Sequence, residues 1–201
     1  MAAAATAGLI GPNAITRIAK VLPAWRGTAF AEQVFERAGL RQHWRQPPQG
    51  MVREDDVRAL HRALREAMPA EEAAAVSRAA GRATADYLLA HRIPHAVQQV
   101  LKLLPAPLAA RALVAAITRH AWTFAGSGRF TAVRPRGGRP WVLEIRDNPL
   151  CRGLASGVPA CDYYAATFER LFQVLVHRDS GITETACEAC GDDACRFELR
   201  W

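Results

Sequence analysis

The chain has 201 residues, half of them hydrophobic, and a formal net charge of +7. That suits one domain, or one domain with a helical annex, on the usual ~100–200 residues per domain. No apolar run approaches the ~20 residues a membrane span needs, and the Ala-rich start, Met1 to Ile10, lacks the cationic region of a signal peptide. A cytoplasmic chain is therefore expected, not a membrane-spanning protein, a secreted disulfide miniprotein or a disordered tail. The basic surplus consists of 24 Arg and 2 Lys, scattered among 40 Ala. It would attract anions such as acidic lipid or a carboxylated ligand. No nucleic-acid motif accompanies the arginines, so nucleic acid is not an expected partner.

In chain order, Thr28 can cap a helix over about Ala29 to Ala38, with Gly39 as its stop. Arg41 to Gly50, with Pro47 and Pro48, reads as a loop. Val57, Leu60, Leu64 and Met68 recur at helical spacing and predict a helix from about Glu54 to Met68. Glu71 to Arg92 predicts a long Ala-rich helix ended at Pro94. His95 to Leu104 and Pro107 to His120 complete the helical half. No amphipathic basic helix stands out along it.

After Phe124 the pattern changes. Ala125-Gly126-Ser127-Gly128 reads as a turn, and Arg129 to Arg134 and Pro140 to Arg146 as strands joined by a hairpin loop at residues 135–138. Asp147 to Ala160 is a Gly- and Pro-containing loop. Asp162 can cap a helix over Tyr163 to His177, and two strands follow near Gly181 to Cys187 and Ala194 to Arg200. Hairpins separated by one helix predict an antiparallel sheet of about four strands with helices on one face.

All five cysteines fall in the last 51 residues: Cys151, Cys161, Cys187, Cys190 and Cys195. Without a secretory signal, metal chemistry is favoured over a disulfide framework, with plain burial and redox exchange as alternatives. Cys187-Glu188-Ala189-Cys190 is a C-x-x-C, and a turn before Cys195 can bring thiolates onto one ion. Cys161 stands where a helix begins, where the helix dipole favours a thiolate. Glu184 precedes Cys187 by three, so on a regular strand the two would face opposite ways, and a bulge or turn is needed for both to reach one metal. An iron–sulfur cluster would also use four thiolates, although the spacing matches no ferredoxin pattern.

The stretch from Tyr163-Tyr164 through Glu184-Thr185-Ala186-Cys187-Glu188-Ala189-Cys190-Gly191-Asp192-Asp193-Ala194-Cys195-Arg196-Phe197-Glu198 resembles the 4-vinyl reductase domain. That family is named for bacteriochlorophyll 4-vinyl reductase proteins of photosynthetic bacteria, and it also occurs in sensors of aromatic-responsive transcription activators. The resemblance covers about residues 121–201, with 1–120 as a helical N-terminal part expected to form one compact unit with it. In overall length and helical first half the chain resembles the bacteriochlorophyll-biosynthesis branch.

The resemblance implies an α/β fold of the α+β type, the NO-signalling and Golgi-transport ligand-binding fold, commonly dimeric, with an apolar ligand between its layers. It implies a structural zinc held by Cys161, Glu184, Cys187 and Cys195, which match the family spacings of 23, 3 and 8; the plain C-x-x-C reading leaves Cys190 as an alternative ligand. It further implies a bound Mg-tetrapyrrole precursor such as divinyl protochlorophyllide, partner enzymes of bacteriochlorophyll biosynthesis, and a location peripheral to the photosynthetic membrane. His120, Trp122, Phe124 and Tyr164 are candidate pocket residues, against the simpler readings that His120 caps its helix and Tyr164 merely packs.

Reducing a vinyl group needs a hydride or electron source. Gly126-Ser127-Gly128 follows a helix and precedes a strand, the reverse of a dinucleotide fingerprint. A closed four-ligand zinc is redox-inert. The residues therefore favour a tetrapyrrole-binding or delivery role over self-sufficient reduction, with an aromatic-ligand sensor or an assembly scaffold as the rival readings.

Overall fold

A computed structural model describes residues 8–134 and 140–201; the hairpin loop read at residues 135–138 lies outside them. The helical half comprises α1 (Asn13–Arg26), α2 (Thr28–Arg37), α3 (Arg41–Arg45), α4 (Glu54–Ala67), α5 (Ala70–His91), α6 (His95–Leu103), α7 (Ala106–Arg119) and α8 (Trp122–Ala125). Two short strands, β1 (Leu9–Ile10) and β2 (Val52–Arg53), pair antiparallel beside it. The second half carries β3 (Arg129–Val133), β4 (Trp141–Arg146), α9 (Asp162–Leu175), β5 (Gly181–Ala186) and β6 (Cys195–Arg200). The last four strands form one antiparallel sheet in the order β3-β4-β6-β5. This is the expected α+β fold.

The expected elements α2, α4 to α7, α9 and β3 to β6 lie within a few residues of their predicted bounds. Thr28 is the first helical residue of α2, not its cap; Gly27 holds the cap position at φ 83°, a left-handed value that favours glycine. The segment read as a loop from Arg41 holds the five-residue helix α3. Helix α1 adds to the expected elements. It buries Ala14, Ile15, Ile18 and Leu22, a helical spacing that Gly11-Pro12 and Pro23 punctuate.

Strand alternation decides the core. Trp141, Leu143 and Ile145 on β4, and Cys195, Phe197 and Leu199 on β6, are buried, while their alternate neighbours are more exposed. Helix α9 turns Phe168, Leu171, Phe172 and Leu175 inward, and Phe168 meets Phe197 at 5.7 Å between ring centroids. Each such side chain contributes roughly 1.5–3 kcal/mol on full burial. Helix α5 packs along the opposite side of α9, where Thr167 Oγ1 donates to the Gly81 carbonyl (3.1 Å) and Thr84 Oγ1 meets the Tyr163 hydroxyl (2.8 Å). Asp86 and Arg170 pair across the same two helices at 2.8 Å. One apolar core therefore runs through both halves.

A buried carboxylate ties three distant segments together. Glu54 accepts from the backbone N–H and hydroxyl of Ser127 (2.8 and 2.7 Å) and pairs with Arg152 (2.7 Å). Burial alone would raise its pKa, but the Ser127 and Arg152 contacts outweigh burial and hold it below the usual value. A depressed carboxylate pKa contributes stability that is present above the unfolded value of about 4.3 and lost as pH falls through the folded one. Glu54→Gln is expected to cost about 2 kcal/mol at neutral pH. It should also flatten the acid limb of stability between about pH 5 and pH 3. Denaturant melts at stepped pH check this; parallel acid limbs for the two proteins would refute it.

Candidate metal centre

The loop after β4 and the turn before β6 build the site. Asp147 takes a positive φ of 54°, and its backbone N–H, with that of Asn148, donates to the Glu188 carboxylate at 2.6 and 2.8 Å. Asn148 is fully buried; its side-chain oxygen accepts the Leu150 N–H at 3.0 Å, and Cys151 N–H donates to the Asn148 carbonyl at 3.0 Å. These bonds fold residues 147–151 into a tight turn that delivers Cys151 inward. Cys187 to Asp192 forms a second turn, with Gly191 at φ 95° and Asp192 Oδ2 accepting the Cys187 N–H at 2.8 Å. Cys161 is the cap residue of α9, and Cys195 opens β6 opposite Ile145.

The result is a cluster of four buried thiols. Cys151, Cys161, Cys187 and Cys195 place their Sγ atoms within 4.8 Å of one another. Cys161 and Cys187 are 3.1 and 3.7 Å from Cys151, and Cys195 is 3.5 Å from Cys161 and 3.6 Å from Cys151. Four sulfurs at about 2.3 Å around one tetrahedral ion stand about 3.8 Å apart, so the spacing fits a zinc-sized ion with little movement. The groups around the sulfurs are those of a thiolate site: Asn148 Nδ2 donates to the sulfurs of both Cys161 and Cys195 at 3.2 Å, and Glu188 N–H points at Cys195 Sγ (3.5 Å).

Burial, then the neighbouring thiols, push the Cys161 thiol well above its usual pKa, so the helix dipole does not by itself make it a thiolate as the sequence suggested. Hydrogen bonds from Cys151, Cys161 and Cys195 hold Cys187 far below. Four such groups cannot all ionise together in an apolar site without a counter-ion; a divalent cation supplies one.

Three residues of the expected ligand set thus come together, and the fourth thiol is Cys151, a loop residue. Glu184 lies alongside. Its Oε2 accepts the Cys161 N–H at 2.8 Å, and its Oε1 is buried with no partner among the described residues. Burial and the negative Cys187 push its carboxyl up to about 9. The irregularity required to bring Glu184 and Cys187 to one side is present: the β5–β6 register shifts between Glu184 and Ala186, a bulge that inserts Thr185. Cys190 is exposed and stands outside the cluster. Sequence reasoning missed Asn148 and Cys151; the one available signal was that Cys151 belongs to the same C-terminal run of cysteines.

Of the pocket candidates, Phe124 and Tyr164 come together and His120 and Trp122 do not join them inside. The Tyr164 hydroxyl donates to the Phe124 carbonyl (2.8 Å), and Phe124 stands against Phe130 and Phe168 in an aromatic group between α9 and the sheet. Trp122 is 60 % exposed at the corner between α7 and β3. His120 is the cap of α7, with Nδ1 2.9 Å from the Ala116 carbonyl, which is the capping role. Gly126-Ser127-Gly128 is engaged by Glu54 and by close packing; a Cβ on Gly128 would stand 2.7 Å from the Arg146 carbonyl.

The vinyl-4-reductase domain family matches residues 141–201, the part that holds every cysteine of the cluster except the two just ahead of α9 and none of the helical half. Those two, Cys151 and Cys161, lie inside the same matched span, so all four thiols belong to it. Over almost its full length the chain is similar to two proteins named bacteriochlorophyll synthase 23 kDa chain. It is 48 % identical to that of Cereibacter sphaeroides, covering 97 % of this chain and 92 % of the relative. It is 43 % identical to that of Rhodobacter capsulatus, covering 94 % and 86 %. The chain belongs to this family of vinyl-4-reductase-domain proteins. The same fold occurs in an H-NOX protein of K. algicida (TM-score 0.61, 8 % identity, 95 % and 96 % covered). It also occurs in one of S. oneidensis (TM-score 0.58, 13 % identity, 95 % and 98 % covered).

Proposed function

We propose that this chain serves bacteriochlorophyll biosynthesis as a tetrapyrrole-binding or delivery factor for the step that reduces the vinyl group of a divinyl protochlorophyllide-type precursor. The observation that carries the pathway is the 48 % identity, across nearly the whole of both chains, to a bacteriochlorophyll synthase 23 kDa chain. The part it plays follows from the residues. Cys151, Cys161, Cys187 and Cys195 suit a zinc ion with a closed thiolate shell, which stabilises the fold and takes no part in electron transfer. Glu184 braces the backbone of Cys161 at the edge of that shell.

The pigment would enter at the α7–α8 corner. Trp122 stands exposed there as the mouth, and Phe124 and Tyr164 lie behind it as the apolar wall. A macrocycle has room only if the aromatic group of Phe124, Phe130 and Phe168 parts. Partner enzymes of the same pathway would receive the pigment, on a peripheral membrane location.

Titration of the metal-loaded protein with divinyl protochlorophyllide, followed by NADPH with no other protein present, tests this reading. Saturable binding with a shifted pigment spectrum and no vinyl reduction is the expected result. Turnover by the protein alone would make it the reductase. Absence of pigment binding would refute the tetrapyrrole reading, and binding of phenols or aromatic hydrocarbons in its place would establish the sensor reading.

A further inference from the structure

Helix α6 is built inside out. Its inward side carries Gln98 and Leu101. Gln98 Nε2 donates to the carbonyls of Leu89 and Ile93 at 2.6 and 2.8 Å, which locks the helix to the end of α5. Its outward side carries Val97, Val100 and Leu103, one helical turn apart, at 47, 58 and 85 % exposure. Leu108 at the start of α7 is 48 % exposed, just past the Pro105 turn that joins the two helices. An apolar ridge on a helix whose polar residue is buried is not an ordinary solvated face.

The charge around this ridge is of one sign. Between Asp86 and Glu144 the sequence holds eight Arg or Lys and no acidic residue at all. Six of those cations are among the described residues, at 92, 102, 111, 119, 129 and 134, and none of them is in a salt bridge there. Elsewhere arginines are commonly paired, as with Arg152 to Glu54 and Arg170 to Asp86. Lys102 and Arg111 are exposed beside Val100, Leu103 and Leu108. The same acid-free stretch also holds Trp122 and Val133, so six of the eleven large apolar side chains exposed among the described residues fall within it.

We infer that the α6–α7 hairpin is a docking face for the surface of an anionic lipid bilayer, with Val97, Val100, Leu103 and Leu108 entering the interface and Lys102 and Arg111 meeting lipid phosphates. No helix among the described residues is long and apolar enough to cross a membrane, so the attachment is peripheral. Charge complementarity selects this occupant. A second copy would bring cations against cations across a two-fold interface, with no acidic residue in the stretch to answer them. A bilayer carrying anionic headgroups supplies both an apolar layer and the opposite charge. The inference extends the peripheral-membrane part of the proposed role. It is tested without pigment, so that its failure and that of the tetrapyrrole reading are separable.

The experiment is co-sedimentation of the full metal-loaded chain with vesicles of equal phosphatidylglycerol and phosphatidylcholine, and with phosphatidylcholine alone. Binding to the anionic vesicles at least about tenfold above the neutral ones is expected, weakening as salt rises and the cations are screened. The double variant V100D/L103D should lose about tenfold or more. K102E/R111E should lose affinity and much of the salt dependence. V158D, at an exposed apolar residue outside the stretch, should bind as the parent does. All the altered side chains are exposed, so unchanged thermal melting confirms that the variants are folded. Equal binding to neutral and anionic vesicles, or parental binding by V100D/L103D, would overturn the inference. So would a protein that ignores vesicles and sediments as a dimer that V100D/L103D converts to monomer, which would make the ridge a self-interface.

Discussion

Replacing Cys161 or Cys195 by Ser is expected to abolish metal retention and lower the melting temperature by more than about 10 °C. Each of these thiols is fully buried, and they lie 3.1 and 3.6 Å from Cys151. A serine hydroxyl in either place leaves three thiolates and an open position, and a structural metal's binding energy is folding energy. A loss of about 3–5 kcal/mol in a chain of this length corresponds to a drop of that size. Elemental analysis of the purified proteins should show about one zinc in the parent and little in either variant. Variants that keep full metal content and melt with the parent would refute the assignment.

The same measurement separates the two candidates for the fourth ligand. If the four-thiol geometry governs, Cys151→Ser loses metal as fully as Cys161→Ser, and Glu184→Gln keeps it, because an amide oxygen can still accept the Cys161 N–H. If the carboxylate is the ligand, the order reverses. Cys190→Ser, at an exposed thiol outside the cluster, should leave both readouts unchanged.

How much of this was legible in the sequence depends on whether a feature is local. The strands β4 and β6 show alternation, and α4 shows Val57, Leu60 and Leu64 on one side, because each pattern reports burial of a single face. The spacing of Cys161, Glu184, Cys187 and Cys195 pointed to one place because the elements carrying them are short and adjacent. Cys151 did not stand out, since its position depends on how residues 147–151 turn. That turn is fixed by the Glu188 carboxylate, about 40 residues away in the chain. Glu184 read as a ligand because its position in the chain matched, whereas its partner in the structure is a backbone N–H that no spacing rule reveals.

Two further differences have the same origin. His120 and Trp122 sit beside Phe124 in sequence, but the cap of α7 turns His120 outward and the one-turn α8 leaves Trp122 exposed. In α6 the apolar periodicity is real, yet the side that is buried holds Gln98. Residue types alone cannot tell a core face from an interface with something else.

The contact between the helical half and the metal-bearing half rests on one glycine. Gly81 lies within α5, where glycine is about 1 kcal/mol worse than alanine for the helix itself. On propensity alone, Gly81→Ala should stabilise. The structure reverses that sign. A Cβ at Gly81 would overlap the Tyr163 carbonyl of α9 and stand 3.1 Å from the Ala166 Cβ. The obstacle is backbone, which cannot rotate away, and the approach is closed further by the Thr167 hydroxyl bonded to the Gly81 carbonyl. Overpacking of about 3 kcal/mol, against the gain of about 1, leaves a net loss near 2 kcal/mol for Gly81→Ala and more for Gly81→Val.

Gly157→Ala is the matched control, since nothing lies within 4 Å of the Cβ it would add. It should melt within about 1 °C of the parent, as surface substitutions do. Because Cys161 caps α9, displacing that helix from α5 also displaces a metal ligand. Gly81→Ala should therefore lose its metal to a chelator faster than the parent, although Gly81 touches no sulfur. A Gly81→Ala protein that melts at or above the parent would show that α5 and α9 can separate freely, and that the two halves are coupled some other way.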